Sequence, residues 1–408
     1  MPPTPRPPRE RYALTRAQEH VWLAEQAADG PGRFTIGEVM EIHGPVDPVA
    51  FEAAVRHVLV ATEIGLVRFG VGDDGRPYQE LDPELPWALR IVDLTADSGA
   101  VSPADHAADA AGPAGPGAGD DLAARVMAEA RAQLARSFDL TTGEPLVAHT
   151  LFLAADRSWW VWTGHHIVAD AASGALAAGL VADAYSRLVA GDPLPPTAPG
   201  SLARLVELDR AYAGSPAAAR DAAWWQERIA GAPEPVRLSR GDPPPSGTTF
   251  RCLRALDPGF DARLRASCTT ASRRPSAVVT AAVAAYVHRV TGAQDLVLGL
   301  PVTARAGAEL RSLPGMLSNI VPLRLAVRPE TTGDELVAQV GRELQKVALR
   351  QRYRGEDLCR EAGIPGGILG LIGPSVNFMA FDHAFRFGGH RATFHTLRSG
   401  PVDDLAVA

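Results

Sequence analysis

The chain is short of the residues that would announce several common functions. Lys346 is the single lysine, so nearly all of its 40 basic residues are arginines, interleaved with 47 acidic ones to a net charge of −7. No basic stripe forms, which argues against nucleic-acid binding. Only three cysteines occur, Cys252, Cys268 and Cys359, an odd number at wide spacing. Neither a disulfide framework nor a CxxC metal site fits them, and they read as plain, mostly core thiols. The longest apolar stretches, such as 276–287, are too short to span a bilayer, and the start MPPTPRPPRE lacks the apolar centre of a signal peptide. A cytoplasmic protein is expected. Also missing are a GxxxxGKS phosphate loop, a GxGxxG opening a helix after a strand, HExxH and a GxSxG elbow. Nucleotide hydrolysis, dinucleotide redox, zinc proteolysis and esterase-type serine chemistry all lose support with them.

What is present is enough for two ordinary hydrophobic cores: 408 residues, 46% hydrophobic and 21% charged. The proline-rich residues 1–11 read as a disordered tail. Thr15 is placed to cap a helix carrying Ala17, Val21 and Trp22, and FTIGEVMEIHG reads as a strand with an irregularity at Gly37. Asp47-Pro48 opens a second helix, and residues 95–121, almost without large apolar side chains, read as a flexible insertion. PLVAHTLFLA and SWWVWTG make a hairpin of buried strands, followed by a long helix from Ala171 that Gly191 ends. The proline-rich LPPTAPG is the candidate boundary between an N-terminal lobe, 12–192, and a C-terminal lobe, 199–408. In the second half, TFRCLRAL, DLVLGLPV, NIVPLRLAV, PSVNFMAF and RATFHTL read as strands, with helices from Pro258, 276–291 and 332–351 among them. Strands and helices alternate in both halves, so the fold class is α/β with mixed sheets.

The segment WWVWTGHHIVADAASGALAAGL stands apart from the rest. A buried strand ends at Gly164, two histidines follow, and Asp170 lies four residues beyond His166 at the mouth of a helix. A strand end can deliver an imidazole into a crevice, with Asp170 orienting it or capping the helix. Taken alone, so short a pattern is better explained as two loop histidines and an N-cap. A metal needs a third and a fourth ligand nearby, and none is in place.

The surroundings decide for chemistry. The segment resembles the HHxxxDG signature of the condensation domains of nonribosomal peptide synthetases. LTRAQEHVWLAEQ is similar to that family's opening LTxAQxxxW, and SFDLTTGEPLVAHTL to its FDLxxGPLxR. Trp224-Trp225 with IAGAPEPVR resembles YWxxxLxGxP, GLPVTAR resembles GxPVxGR, and LPGMLSNIVPLRL resembles PGxxxNxxPLR. VNFMAFD with GPVDDL looks like a recurrent ending of such domains.

The resemblance implies two chloramphenicol acetyltransferase-like lobes forming a V-shaped pseudo-dimer around a central tunnel. Donor acyl and acceptor amine would enter from opposite faces on the phosphopantetheine arms of two peptidyl carrier proteins, with no tightly bound cofactor. An adenylation domain and other synthetase modules are the remaining implied partners, with no nucleic acid or membrane, and the domain is expected to act as a monomer. His166 matches the catalytic histidine, His165 the first, structural one, and Asp170 the aspartate that pairs with an arginine, here Arg305. Asn319 matches a polar residue facing the same tunnel. Only His166 is expected to do chemistry; Asp170 and Arg305 would hold the lobes in register, and Asn319 would satisfy backbone groups.

Departures from the family pattern set further expectations. Ala171 stands at the signature glycine, and if that backbone needs a positive φ its methyl costs roughly 1 kcal/mol. Leu66 replaces a common arginine, Ala304 the glycine before Arg305, and Ala380 a common proline. The chain stops at Ala408, where such domains continue through further strands and a last helix. Amide formation is the first reading of function. An ester-forming or epimerising relative, and a silent member that only binds carrier proteins or recruits a partner, are the alternatives.

Overall fold

The computed structural model describes residues 10–27, 32–95, 118–197, 201–239, 250–254, 256–257, 259–268, 273–379, 384–398, 400–402 and 404–408. Strand β1 (Arg11–Ala13) and helix α1 (Arg16–Gln26) open the chain, followed by β2 (Thr35–Ile42), α2 (Pro48–Thr62), β3 (Val67–Val71), β4 (Pro77–Leu81) and β5 (Leu89–Asp93). Helix α3 (Ala118–Leu134), the hairpin β6 (Val147–Leu153) and β7 (Ser158–His165), and α4 (Ala171–Ala190) complete the first half. Helices α5 (Ser201–Ala213), α6 (Pro216–Ile229), α7 (Phe260–Ser267) and α8 (Pro275–Thr291) precede β8 (Asp295–Val302), α9 (Ala308–Ser312), β9 (Asn319–Ala326), α10 (Gly333–Ala348) and α11 (Gly355–Glu361). Four strands close the chain: β10 (Ser375–Val376), β11 (Arg386–Phe387), β12 (His390–Arg398) and β13 (Ala406–Val407).

Local chemistry sets the helix ends. Thr15 and Gln18 form a reciprocal capping box, as do Thr332 and Glu335. Asp47 accepts from the backbone of Val49 and Ala50 with Pro48 in the first turn, and α4 ends on Gly191 in the left-handed region.

A six-stranded mixed sheet runs β11-β12-β2-β7-β6-β5. Its alternation sorts side chains to two faces: Ile36, Met40, Trp160 and Trp162 join the core under α2 and α4, while Val39, Trp159, Val161 and Phe152 meet α3. A smaller sheet, β1-β4-β3, borders this lobe. The second lobe has a four-stranded sheet, β13-β10-β8-β9, and a separate core in which Trp225, Leu298, Leu323, Val340 and Leu358 are buried.

Several boundaries read from the sequence change. Arg11, assigned to the tail, pairs with Glu80 in β1, and 118–121, assigned to the insertion, are the first turn of α3. The rest of those two segments, 1–9 and 96–117, lies outside the described residues. TFRCLRAL forms no strand over 250–254: either face of such a strand would present an arginine, Arg251 or Arg254, and the Arg251 guanidinium donates instead to the Leu397 carbonyl at 3.0 Å. The largest change concerns the C-terminal lobe, whose 199–408 span is not continuous. Residues 386–398 leave it, β12 pairs antiparallel with β2 across the first lobe's sheet, and β13 then returns to pair with β10. The irregularity expected at Gly37 is real but sits on its partner, as a register shift between Thr396 and Arg398. Of the cysteines only Cys359 is buried; Cys252 is exposed.

Candidate active site

Strand β7 is buried along its whole length and carries the two histidines at its end. The registers fix their depth: His165 faces Thr35 on β2, and the next backbone N–H, that of His166, donates to the Phe34 carbonyl at 2.8 Å. His165 is wholly buried, its Nδ1 accepts from the Ile167 N–H at 3.1 Å, and its Nε2 lies 3.6 Å from the Glu25 carboxylate. That is a structural post. His166 is only half-buried, and its Nδ1 meets no partner among the described residues. Burial outweighs the pull of Asp170 and keeps its pKa below the ordinary histidine value, so the ring is neutral at pH 7 and can take a proton.

Gly400, on the return from β12 to β13, lies against the other edge of the ring. A Cβ there would stand 3.5 Å from His166 Cδ2 and 3.6 Å from Nε2, and its φ of +126° belongs to glycine. The backbone can thus approach Nε2 without covering it. In the sequence Gly400 is only part of a terminal motif, because its meeting with His166 depends on β12 crossing to the other lobe.

Asp170 caps α4 and does more. Its Oδ1 accepts from the Ser173 N–H at 2.9 Å, and its Oδ2 accepts from Arg305 Nη1 at 2.7 Å and from the backbone of Leu317 and Ser318 at 3.0 and 2.9 Å. Burial alone would raise its pKa, but Arg305 and these donors outweigh that and hold it below the usual carboxylate range. Arg305 also donates to Ser173 Oγ at 2.8 Å and to the Gly315 carbonyl at 2.9 Å. Both charges are saturated by structural partners, and the pair ties the two lobes together. Ser173, which sequence reasoning missed, is the hub: its Oγ also accepts from the Gly315 N–H at 2.9 Å. Asn319 is equally engaged, donating to the carbonyls of Gln351 and Tyr353 at 2.9 and 2.7 Å and accepting from Gly355 N–H at 3.1 Å. Its amide secures a turn; the tunnel-facing position inferred for it is not what these contacts describe.

Ala171 occupies the first turn of α4 with ordinary helical backbone, so the strain anticipated there is absent. Of the family departures it is Ala304 that has a positive φ, at 53°, immediately before Arg305. Leu66 is a buried core residue, and Ala380 lies outside the described residues. Glu38, which carried no expectation, is buried on β2 with Trp162 Nε1 donating to it at 2.8 Å, and burial pushes its pKa up to about 7. Among the described residues no cluster of three or more His, Cys, Asp or Glu could hold a metal, and no helix is long and apolar enough to cross a membrane.

The sequence model of the condensation domain family matches residues 8–401. The chain belongs to that family. Condensation domains are acyltransferase-type enzymes of nonribosomal peptide synthesis whose general reaction is amide bond formation on carrier-bound substrates, without a tightly bound cofactor. This condensation domain is 34% identical to a dimodular nonribosomal peptide synthase of Bacillus subtilis, over 97% of its own length and 16% of that protein's. It is also 34% identical to an isonitrile lipopeptide synthase of Streptomyces coeruleorubidus, over 98% of its length and 26% of the relative's. The chain thus spans about a quarter or less of these relatives. Among solved structures, the starter condensation domain of rhizomide synthetase, in complex with C8-CoA and Leu-SNAC, superposes with a TM-score of 0.84 at 34% identity, covering 97% of this chain and 84% of that one. The first condensation domain of the calcium-dependent antibiotic synthetase superposes with a TM-score of 0.84 at 33% identity, covering 97% and 87%. The α/β class and the chloramphenicol acetyltransferase-like architecture expected from the sequence stand with these matches.

Proposed function

We propose that this domain joins a carrier-bound acyl donor to the amine of a carrier-bound aminoacyl acceptor, and that His166 orients that amine and handles its proton. The amine nitrogen attacks the donor thioester carbonyl, the excess proton on nitrogen passes to His166, and collapse of the tetrahedral adduct expels the donor arm's thiolate, which takes a proton. The observation that carries this reading is a neutral, half-buried imidazole at a strand end, its Nε2 edge lined by the Gly400 backbone. Magnitudes place the emphasis on orientation. An α-amine with a pKa near 8 is neutral in about one molecule in ten at pH 7, so its deprotonation in the ground state is worth only about 1.4 kcal/mol. Positioning amine against carbonyl can supply roughly 7 kcal/mol or more.

The partners on this reading are a donor and an acceptor peptidyl carrier protein with their phosphopantetheine arms, and neighbouring modules such as an adenylation domain. The domain works as a monomer in the cytoplasm, with the lobe boundary in the proline-rich stretch after Gly191. The donor is an acyl group with an apolar body. Support is the apolar lining of a small cavity of about 40 Å³ behind the histidine motif, between the sheet and helices α2 and α4, formed by Val58, Val147, Trp162, Ala169, Gly174 and Val181; at that size it would have to open to take more than the tip of a chain. The C8-CoA held by the starter domain of rhizomide synthetase points the same way.

The test is intact-mass detection of the condensed product between loaded donor and acceptor carriers, with His166→Ala alongside. Loss of about 10²–10⁴ in rate is expected of the variant, with an acid limb of kcat/KM in the unaltered domain below pH 6.5. Product formed equally well by His166→Ala would refute the assigned role, and carrier binding with no product from either protein would establish a silent member.

A further inference from the structure

Strand β2 carries a carboxylate into the packed face of the first lobe, and no described residue there matches its charge. Glu38 is only 8% exposed, and its Oε2 accepts from Trp162 Nε1 at 2.8 Å. Its Oε1 has no hydrogen-bond partner, and the group faces no cation, among the described residues. The indole N–H needs an acceptor, but a neutral amide would serve it. A carboxylate is the expensive choice, because taking a charge out of water without a counter-charge costs far more than burying an amide. Asp170 shows what a carboxylate held for structure looks like here: a guanidinium and three backbone N–H groups surround it. Glu38 has a single donor.

The registers relate Glu38 to the reaction centre. It faces Trp162 of β7 on one side and Thr396 of β12 on the other, so the three share the face that packs toward α4. Four residues beyond Trp162 comes His166, and four beyond Thr396 comes Gly400, where a Cβ would stand 3.6 Å from His166 Nε2. The carboxylate is thus roughly 13 Å from the histidine along the strands, at about 3.3 Å per residue. Over it lies Gly174 of α4, where a Cβ would stand 3.4 Å from Glu38 Oε2. Cover on this face is uneven. Met40 and Trp160 are buried, whereas Phe394 and Thr396 of β12, like His166 and Gly400, are half-buried. A half-covered strip therefore runs from His166 past Gly400 to Thr396, with Glu38 on its inner border. Glu38 is not a wall residue of the small cavity between α2 and α4.

We propose that Glu38 is a specificity-determining residue of the donor site, whose carboxylate receives a protonated amine on the distal part of the donor acyl chain. The ammonium supplies the missing counter-charge and donates to Oε1, while Trp162 holds Oε2 in place. It also favours the ionised form, which burial alone disfavours. The assignment rests on the donor reading above and adds a polar end to it: the apolar body follows the half-covered strip away from the thioester, and the cation lies at Glu38. Gly174 fits the same reading, since a side chain there would crowd the carboxylate and the Trp162 ring, 3.1 Å from the same Cβ position.

The experiment is a competition, read by intact mass, between carriers loaded with plain octanoyl, decanoyl or dodecanoyl chains and carriers whose chains bear an amine or a carboxylate at successive distal carbons. The unaltered domain is expected to favour one amine position over the plain chain by about tenfold in kcat/KM, and to reject the carboxylate. Glu38→Gln keeps an acceptor for the Trp162 indole but removes the charge, so the amine advantage falls toward parity and the carboxylate is no longer singled out. Glu38→Asp keeps the charge and draws it back by one methylene, so the preferred amine moves outward along the chain. Should Glu38→Gln fail to fold, the shift in Glu38→Asp carries the test. Plain chains used as well as every amine chain overturn the assignment while the donor reading stands. An amine advantage that neither variant alters overturns it as well, by placing the recognising group elsewhere. No product from any acyl carrier refutes the donor reading, and this assignment with it.

Discussion

Among the described residues, two of the buried polar junctions that cross between the lobes are built on opposite principles. At Asp170–Arg305 the carboxylate is held ionised below its usual range and both groups are saturated: the carboxylate takes backbone donors from each lobe as well as the guanidinium, at 2.7 Å. At the other, His20 on α1 reaches α11, with Nδ1 3.1 Å from Glu356 and Nε2 3.7 Å from Asp357, flanked by Arg16, Arg354 and Arg360. Here the cation is titratable. The first junction is a fixed rivet next to the histidine motif, and the second is a seam whose strength varies with pH. Arg354 connects them, because it donates to the carbonyls of Leu317 and Ser318, whose N–H groups hold Asp170.

The largest effect that would break this contrast is expected at the rivet. Asp170→Ala strands the Arg305 guanidinium together with the N–H groups of Leu317 and Ser318, and removing one partner of a buried pair costs about 3–5 kcal/mol. Urea unfolding should show that loss at every pH from 5 to 8, within about 0.5 kcal/mol of flat. A loss that disappears above neutrality would mean that the rivet, too, depends on a titrating group.

The seam should behave differently. Burial lowers the pKa of His20, but the carboxylates of Asp357 and Glu356 beside it outweigh that and leave the group raised above 6.5. Its stabilisation is therefore fully present below pH 6.5 and is lost as pH rises through the folded value. Asp357 and Glu356 are both held down to about 2 despite their burial, so their share is present above the ordinary carboxylate range near 4 and is lost as pH falls toward 2. The seam is strongest between about pH 4.5 and 6.5. His20→Gln should cost about 1–2 kcal/mol at pH 5.5 and much less at pH 8.5, measured as the difference between two urea series. A pH-independent difference would reduce His20 to a neutral hydrogen-bonding residue.

The two junctions were unequally legible in the sequence. His166, Asp170 and Arg305 sit inside short motifs whose residue order survives in one dimension, and Thr15, Asp47 and Gly191 mark helix ends through purely local hydrogen bonds. The strands of the β6–β7 hairpin follow from adjacent apolar runs. His20, Ser173 and Gly400 act through partners roughly 140 to 340 residues away, and no local pattern distinguishes them from solvent-facing or capping residues. The crossing of β12 into the first lobe was hidden for the same reason, since RATFHTL looks identical whichever sheet accepts it. TFRCLRAL failed in the opposite sense: its composition suits a strand, but arginines on both faces leave it no side to bury.

The finest distinction between rivet and seam is stored strain, and it lies at Ala304 rather than at Ala171, where the family comparison raised it. Ala171 replaces a glycine without consequence because it begins a helix, whereas Ala304 holds φ at 53° while almost fully buried, directly before the arginine of the rivet. A left-handed alanine costs about 1 kcal/mol relative to glycine, and glycine returns part of that through a more flexible unfolded chain. Ala304→Gly should therefore stabilise the domain by at most about 1 kcal/mol, with the gain independent of pH because no titrating group is touched. The conformation is kept because the Arg305 side chain, bonded to Asp170, Ser173 and the Gly315 carbonyl, fixes the backbone behind it. In an Asp170→Ala background that restraint is weakened and Ala304 can relax, so the same substitution should yield less there. Equal gains in both backgrounds would show that the loop, rather than the ion pair, holds Ala304 in place.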